Sequence, residues 1–435
     1  MKKKLTPIFG IAIVFALLLC ACGGMAVGKS AADESSDSDI VEPAEVVAEP
    51  VTITFWHTYN EISPENEMLM NTLIPLFEAE HPNIKVESLP VAYEDFRTKL
   101  FTSISGGVAP DLARIDIIWT PELADMGALA SIDEEMSDFA DYMDLLFAGP
   151  LATNFWNGHY YGLPLDTNTK LWFYNKALYD SAGITAPASV DEMLDQCQML
   201  KAANPDVYYF ATDGTWAWVV LPWIWSFGGD ITDVEVTTAT GYLNGAQTVA
   251  AFEFLKELYD QGCIAPVIMG SGIDTFAGYG QDVYASLDNG PWTFPIVESQ
   301  FPDKEISISP FPAGAGGSIN VVGGENIVLF QQSENKEAAM EFLRFVLSKK
   351  YQEKMAEVGQ LPVRVDLIES DFIKNHEYYG MFLEQLKTSK SRTAHPKWSQ
   401  MDEIITNAGQ LILRNEKSAQ EALDEAAAQI DELLK

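Results

Sequence analysis

The chain has 435 residues, 47% of them hydrophobic and 11% aromatic, with 63 acidic against 27 basic side chains and a formal charge of −36. Such a surface repels nucleic acid and anionic lipid headgroups, which are bound through Lys and Arg. It also argues against a phosphate or dicarboxylate ligand, unless a buried Arg reverses the local balance. Residues 51–435 are too many for one average domain and suit two.

The first elements are those of export. Lys2, Lys3 and Lys4 precede a short apolar run, Ile8 to Leu19. That run falls short of the about 20 residues needed to span a bilayer, so residues 1–21 read as a cleaved signal peptide. Ala21-Cys22 resembles the cleavage site of a bacterial lipoprotein, with Cys22 as the lipidation site; Cys20 is the poorer acceptor because bulky Leu19 precedes it. The expected location is the outer face of the cytoplasmic membrane, anchored by lipid on Cys22. Loss of the three leader lysines takes the charge from −36 to −39.

Residues 22–50 are rich in Ser, Ala, Asp, Glu and Pro and offer little to bury, so they read as a disordered acidic tether. Within them Gly23 to Ser30 fits the phosphate-loop pattern GxxxxGK[ST]. It lacks the strand before and the helix after that such a loop requires, and no nucleotide site is assigned.

Val51, Ile53 and Phe55 alternate on one face of a strand, 51–56. Met68, Leu69, Leu73, Leu76 and Phe77 follow at helical spacing, with Pro75 expected to kink or split the helix. A second strand begins at Ile84, giving a strand–helix–strand unit of the length of a right-handed crossover. A helix over 94–104 leads to a third strand ending near Asp116. Capping patterns place further helices after Ser189, Asn244, Asn335 and Ser418. The fold class is α/β with a helix-rich C-terminal end.

Cys197 and Cys263 fall in helical patterns and read as small buried hydrophobes; a disulfide is possible, but sequence does not supply the distance. The five histidines show no metal-ligand spacing, and no metal or cofactor is assigned.

In open α/β sheets ligands gather beyond the carboxyl ends of the strands. The first strand delivers Trp56, His57, Thr58 and Tyr59 there, and the third delivers Asp116 and Trp119. An aromatic ring beside hydrogen-bonding groups suits a sugar, whose C–H faces stack and whose hydroxyls need donors and acceptors. Trp216, Trp218, Trp223 and Trp225 crowd one stretch. A stripe at that spacing is usually core, so two are assigned to packing, and Trp216 and Trp225, nearest loop-like flanks, are the ligand candidates. Trp292 stands on a turn, and Gly323-Gly324 bares backbone.

The order of motifs resembles the sugar-type bacterial extracellular solute-binding proteins, family 1, that feed ATP-binding-cassette importers. The residues carrying it are FWHTYN (55–60), FEAEHPNIKV from Phe77, GVAPDLARID from Gly107, YGLPLDTNTKLWFYNKALYDSAGI from Tyr161, FGGDI from Phe227, SLDNGPW from Ser286, PFPAGAGG from Pro310, VGGENI from Val322, EAAMEFLRFVLS from Glu337 and HPKW from His395. The resemblance implies a two-lobed, periplasmic-binding-protein-like (type II) architecture with a hinge and an interlobe cleft. It implies lobes of 51–165 plus 307–347 and 166–306 plus 348–435, a first hinge at Leu165 to Asn168, a return near Ser307 to Pro312 and a further crossing around Ser348. By matching positions, ligand contacts are expected from Trp56, His57, Tyr59, Asp116, Asp166, Trp216, Trp225, Trp292, Gly324 and Trp398, with Arg364 a weaker candidate.

The implied function is capture of a mono- or oligosaccharide by a monomeric, lipid-anchored receptor that delivers it to separate permease subunits. An acidic, tryptophan-rich cleft also suits a cationic solute such as a polyamine. A cell-surface glycoside hydrolase would need two carboxylates flanking one bond at about 5–9.5 Å, and no spacing singles out such a pair.

Overall fold

The computed structural model describes residues 50–367, 370–376 and 378–435. The signal peptide, Cys22 and the tether up to residue 49 lie outside the described residues. Among the described residues no helix is long and apolar enough to cross a membrane.

Two β-sheets organise the chain. In the first, the strand Val51–His57 lies between Ile84–Pro90 and Leu112–Asp116, parallel to both. Glu325–Leu329 joins antiparallel to Leu112–Asp116, and Gly162–Pro164 closes the far edge. Leu112–Asp116 is buried along its whole length, as a strand covered on both faces is. Phe55, Phe77 and Phe342 meet edge to face beneath this sheet, with ring centroids 5.1–5.3 Å apart.

Between the first two strands the helix is split, as Pro75 led us to expect. Helices Pro64–Met68 and Ile74–Glu80 flank a wider π turn, Leu69–Leu73, in which the Ile74 N–H reaches back to the Leu69 carbonyl. Proline has no N–H to give, and an extra residue in the turn relieves its ring from the preceding carbonyl.

The second sheet is antiparallel, with Leu171–Tyr174 between Ser286–Asn289 and Ser307–Ser309. Around it pack Met193–Ala203, Ala217–Ser226, Ala246–Asp260, Trp398–Leu413 and Ala419–Leu433. A disulfide joins Cys197 to Cys263 with Cα atoms 5.8 Å apart, tying the first of these helices to the chain just beyond the third.

Three passes of the chain meet where the lobes join. Asn168 and Gly323 exchange both backbone hydrogen bonds, Leu165 N–H donates to Glu325, and Thr167 N–H donates to Leu361. Gly324 has φ +129°, and a Cβ there would collide with the Asp166 carbonyl. Only glycine lets the two backbones touch. The Gln352 side chain staples the same place, donating to Leu165 O at 2.8 Å and Val346 O at 3.0 Å while accepting from Val363 N–H.

The passes are displaced from the expected boundaries. Ser307–Ser309 belongs to the second sheet, Ala313 pairs with Ser189, and Phe311 packs on Trp223 at 4.8 Å, so the return falls at 320–325 rather than at Ser307 to Pro312. Tyr351, Met355 and Val363 bury in the core of the first lobe, and Phe147 N–H donates to Val363 O. The last crossing therefore lies beyond Ser348. Apolar spacing at Tyr351 and Met355 puts one helix face into that core.

Candidate functional site

A cavity of about 920 Å³ lies between the lobes. The carboxyl ends of two parallel strands feed it Thr58, Tyr59, Arg114 and Asp116, the first turn of the split helix feeds it Glu65, and the second lobe adds Trp216, Trp218 and Trp292.

Arg114 is the centre of one polar knot. It is the sole basic residue of a buried strand, and its guanidinium sits 3.1 Å from Asp166 Oδ2 and 2.7 Å from Glu325 Oε2. It also donates to Thr58 Oγ1 at 2.5 Å and lies 4.2 Å over the Tyr59 ring. Burial pushes the Glu325 carboxyl well up against the pull of Arg114, and it pushes the Tyr59 phenol up too.

A second knot crosses between the lobes. Asp116 Oδ1 accepts from Arg392 Nη2 at 2.7 Å and from Ile118 N–H at 3.1 Å; Oδ2 accepts from Tyr93 O–H at 2.8 Å and Arg392 Nη1 at 3.3 Å. Both Asp116 oxygens are thus taken by protein. Arg392 Nε, beside the cavity, has no partner. Behind this knot Lys170 and Asp288 form a buried ion pair, and Asn320 donates to Asp288 at 3.2 Å.

The walls are aromatic. Tyr93 stacks on Trp119 at 5.6 Å and faces Trp216 at 6.5 Å; Trp218 and Trp292 lie 6.2 Å apart. Arg392 and Lys170 lie 5.3 and 5.4 Å over the Trp218 ring. Gly290 sits flush against Trp292, where any Cβ would strike the ring.

Among the sequence candidates, Tyr59, Asp116, Trp216, Trp292 and Gly324 line the cavity. Asp166 stands behind Arg114 as its ion partner. The others are placed away from the cavity wall. Trp56 is half-buried under Lys99, 4.9 Å over its ring. His57 is buried on the opposite face of the strand, hydrogen-bonded to Ser88 Oγ at 2.8 Å, and burial, helped by Arg114, lowers its pKa to about 3. Trp225 is buried with its Nε1 donating to Asp230 at 3.0 Å. Trp398 has no exposed surface and packs with the helices of the second lobe. Arg364 forks onto Asp366 at 3.0 and 2.9 Å.

Glu65, Tyr93, Arg114, Trp218 and Arg392 also line the cavity, although the sequence did not single them out as ligand contacts. Arg114 had a signal, a lone basic residue inside a largely apolar strand. Among the described residues, no group of His, Cys, Asp and Glu is arranged to hold a metal ion.

Comparison with known proteins agrees with this architecture. The family model of the bacterial extracellular solute-binding proteins matches residues 63–353. A putative binding protein of Brucella abortus is 26% identical over 366 residues, covering 82% of this chain and 88% of that one. The maltotriose-binding protein of Pyrococcus abyssi is 25% identical over 387 residues, with 84% and 78% covered. The GacH receptor of Streptomyces glaucescens, solved unliganded and with acarbose, superposes with a TM-score of 0.80 at 25% identity, over 88% of this chain and 98% of that one. These relatives and neighbours are binding proteins.

Proposed function

The chain belongs to the bacterial extracellular solute-binding proteins, and we propose that it captures a carbohydrate in the interlobe cleft and hands it to the permease of an ATP-binding-cassette importer without chemical change. The observation that carries this reading is a cavity faced by rings from both lobes and rimmed by hydrogen-bonding groups: Tyr59 and Tyr93 on one side, Trp216, Trp218 and Trp292 on the other. A pyranose presents apolar C–H faces to such rings and hydroxyls to the rim. Each stacked ring contributes about 0.5–1.5 kcal/mol beyond area burial, and each rim hydrogen bond about 1 kcal/mol. Two or three of each contribute about 3–7 kcal/mol on top of area burial, which works against the ordering cost of binding.

Each lobe supplies part of the wall, so ligand fits fully only when both are near, and binding favours the closed arrangement by its differential contacts. The passes at Leu165–Asn168, 320–325 and Leu361 are the pivot. Lipidation of Cys22 would hold the receptor beside its permease, with the acidic tether as leash and the receptor itself a monomer.

A thermal-shift and calorimetric screen against mono- and oligosaccharides tests the reading. A carbohydrate that raises the melting temperature by mass action and is recovered intact supports it. Hydrolysis of the sugar, or stabilisation by amino acids or peptides alone, overturns it. Mass spectrometry of the N-terminal peptide from membranes tests the diacylglyceryl group on Cys22.

A further inference from the structure

The charge balance of the cleft narrows the ligand class, on the premise that the ligand is a carbohydrate. Among the described residues, seven carboxylates line the cavity against two guanidinium groups. Both arginines are already engaged, Arg114 with Asp166 and Glu325, Arg392 with Asp116. Asp288 is held by Lys170. Glu65, Glu94, Asp213 and Asp274 form no ion pair with a described residue. Asp213 and Asp274 accept only hydroxyl and backbone donors, from Thr275 and from the turn that Asp274 caps.

Glu65 is the decisive member. It lines the cavity while only 5% exposed, its Oε2 has no hydrogen-bond partner, and its Oε1 accepts from the Gln360 amide at 3.4 Å, with the Ser63 hydroxyl and its own backbone N–H close by. Asn168 Oδ1, beside the same cavity, is equally unpartnered. Buried acceptors without donors are costly, and a carboxylate most of all, so an occupant that supplies donors recovers that cost. A hydroxyl supplies one donor and no charge. An ammonium group supplies three, with the charge that answers a carboxylate, and it is attracted to the indole faces across the cavity. An anionic sugar would meet the unpaired carboxylates with no free cation among the described lining residues to offset them.

We propose that the cleft is built for an amino sugar, a glycan whose rings carry protonated primary amines, with Glu65 as the residue that selects the charge. Calorimetry on the purified chain with tetrasaccharides of glucosamine, N-acetylglucosamine and glucose, and with a linear polyamine, tests it. The glucosamine oligomer binds about tenfold or more tightly than the other two sugars. Its affinity falls several-fold between about 0.05 M and about 0.5 M NaCl through the exposed rim carboxylate Glu94, the buried contact at Glu65 being screened less. Glu65→Gln narrows the ratio between glucosamine and glucose oligomers, and Glu94→Gln, at an exposed position on the rim, weakens the salt response if the first variant does not fold. Equal or tighter binding of the neutral or acetylated sugar overturns the amino-sugar assignment and leaves the carbohydrate reading intact. Binding of the polyamine with none of the sugars overturns both, and failure of the glucosamine oligomer to bind overturns the assignment whatever the others do.

Discussion

Arg392 and Asp116 form a forked ion pair inside the cleft, Nη2 to Oδ1 at 2.7 Å and Nη1 to Oδ2 at 3.3 Å, and so tie the chain beside the second lobe's return pass to the last residue of a first-lobe strand. The pair is almost wholly buried. Removing one partner strands the other, so Asp116→Ala lowers stability by about 3 kcal/mol, read by chemical denaturation. The double change Asp116→Leu, Arg392→Met recovers much of that loss, because no buried charge is then left unpaired.

Trp216 and Trp398 separate binding from folding. Trp216 is partly exposed on the cavity wall, whereas Trp398 is fully buried. Trp216→Ala weakens ligand binding about tenfold with little change in melting temperature. Trp398→Ala destabilises by about 3–5 kcal/mol through the void it leaves and changes affinity only through the folded fraction. Calorimetry and thermal melts on the two variants read these opposite patterns.

The Cys197–Cys263 bridge closes a loop of sequence separation 66. Restricting a loop of that length in the unfolded chain is worth about 4 kcal/mol at most, and commonly 2–4. The Cys197→Ala, Cys263→Ala protein unfolds at correspondingly lower denaturant concentration. Neither cysteine lines the cavity, so its ligand affinity is retained.

His57 gives the acid limb of stability a defined window. Its ordinary value is 6.5, and burial with the nearby Arg114 charge holds it at about 3 in the folded protein. Below 6.5 the unfolded chain binds a proton that the native chain refuses, so stability is lost as pH falls from 6.5 towards 3, by about 1.4 kcal/mol per pH unit. Glu65 and Asp288, raised by burial, work in the opposite sense, their cost relieved as pH falls. Comparing His57→Gln with the parent isolates the histidine: the variant shows a flatter acid limb over that window. An unchanged slope would falsify the assignment.

The elements set by local chemistry were readable from the chain. The Ser418–Glu421 capping box forms as its spacing indicates, and Pro75 splits its helix. Asn244 caps less directly: its Oδ1 accepts from Gly241 N–H, and the helix starts after Gly245. What could not be read was set by distance through space. Trp218 and Trp225 share a helix, yet seven residues advance about 10 Å along its axis, so the N-terminal end reaches the cavity and the C-terminal end packs inside. Loop-like flanks pointed to Trp225, but a flanking glycine reports turn geometry and not which way the turn faces. The short Ser307–Ser309 strand carried too few residues to show which sheet it would join. Arg392 was not legible, since nothing in the spacing of Asp116 and Arg392 announces that they meet.

The contact between Gly324 and the Asp166 carbonyl has a mechanical consequence. Two spans of main chain bear on each other there with nothing interposed, which makes a fulcrum without padding. On the proposed pivot, opening and shutting the jaws would be a matter of twisting a few peptide units, each half staying stiff while its rim sweeps the larger arc.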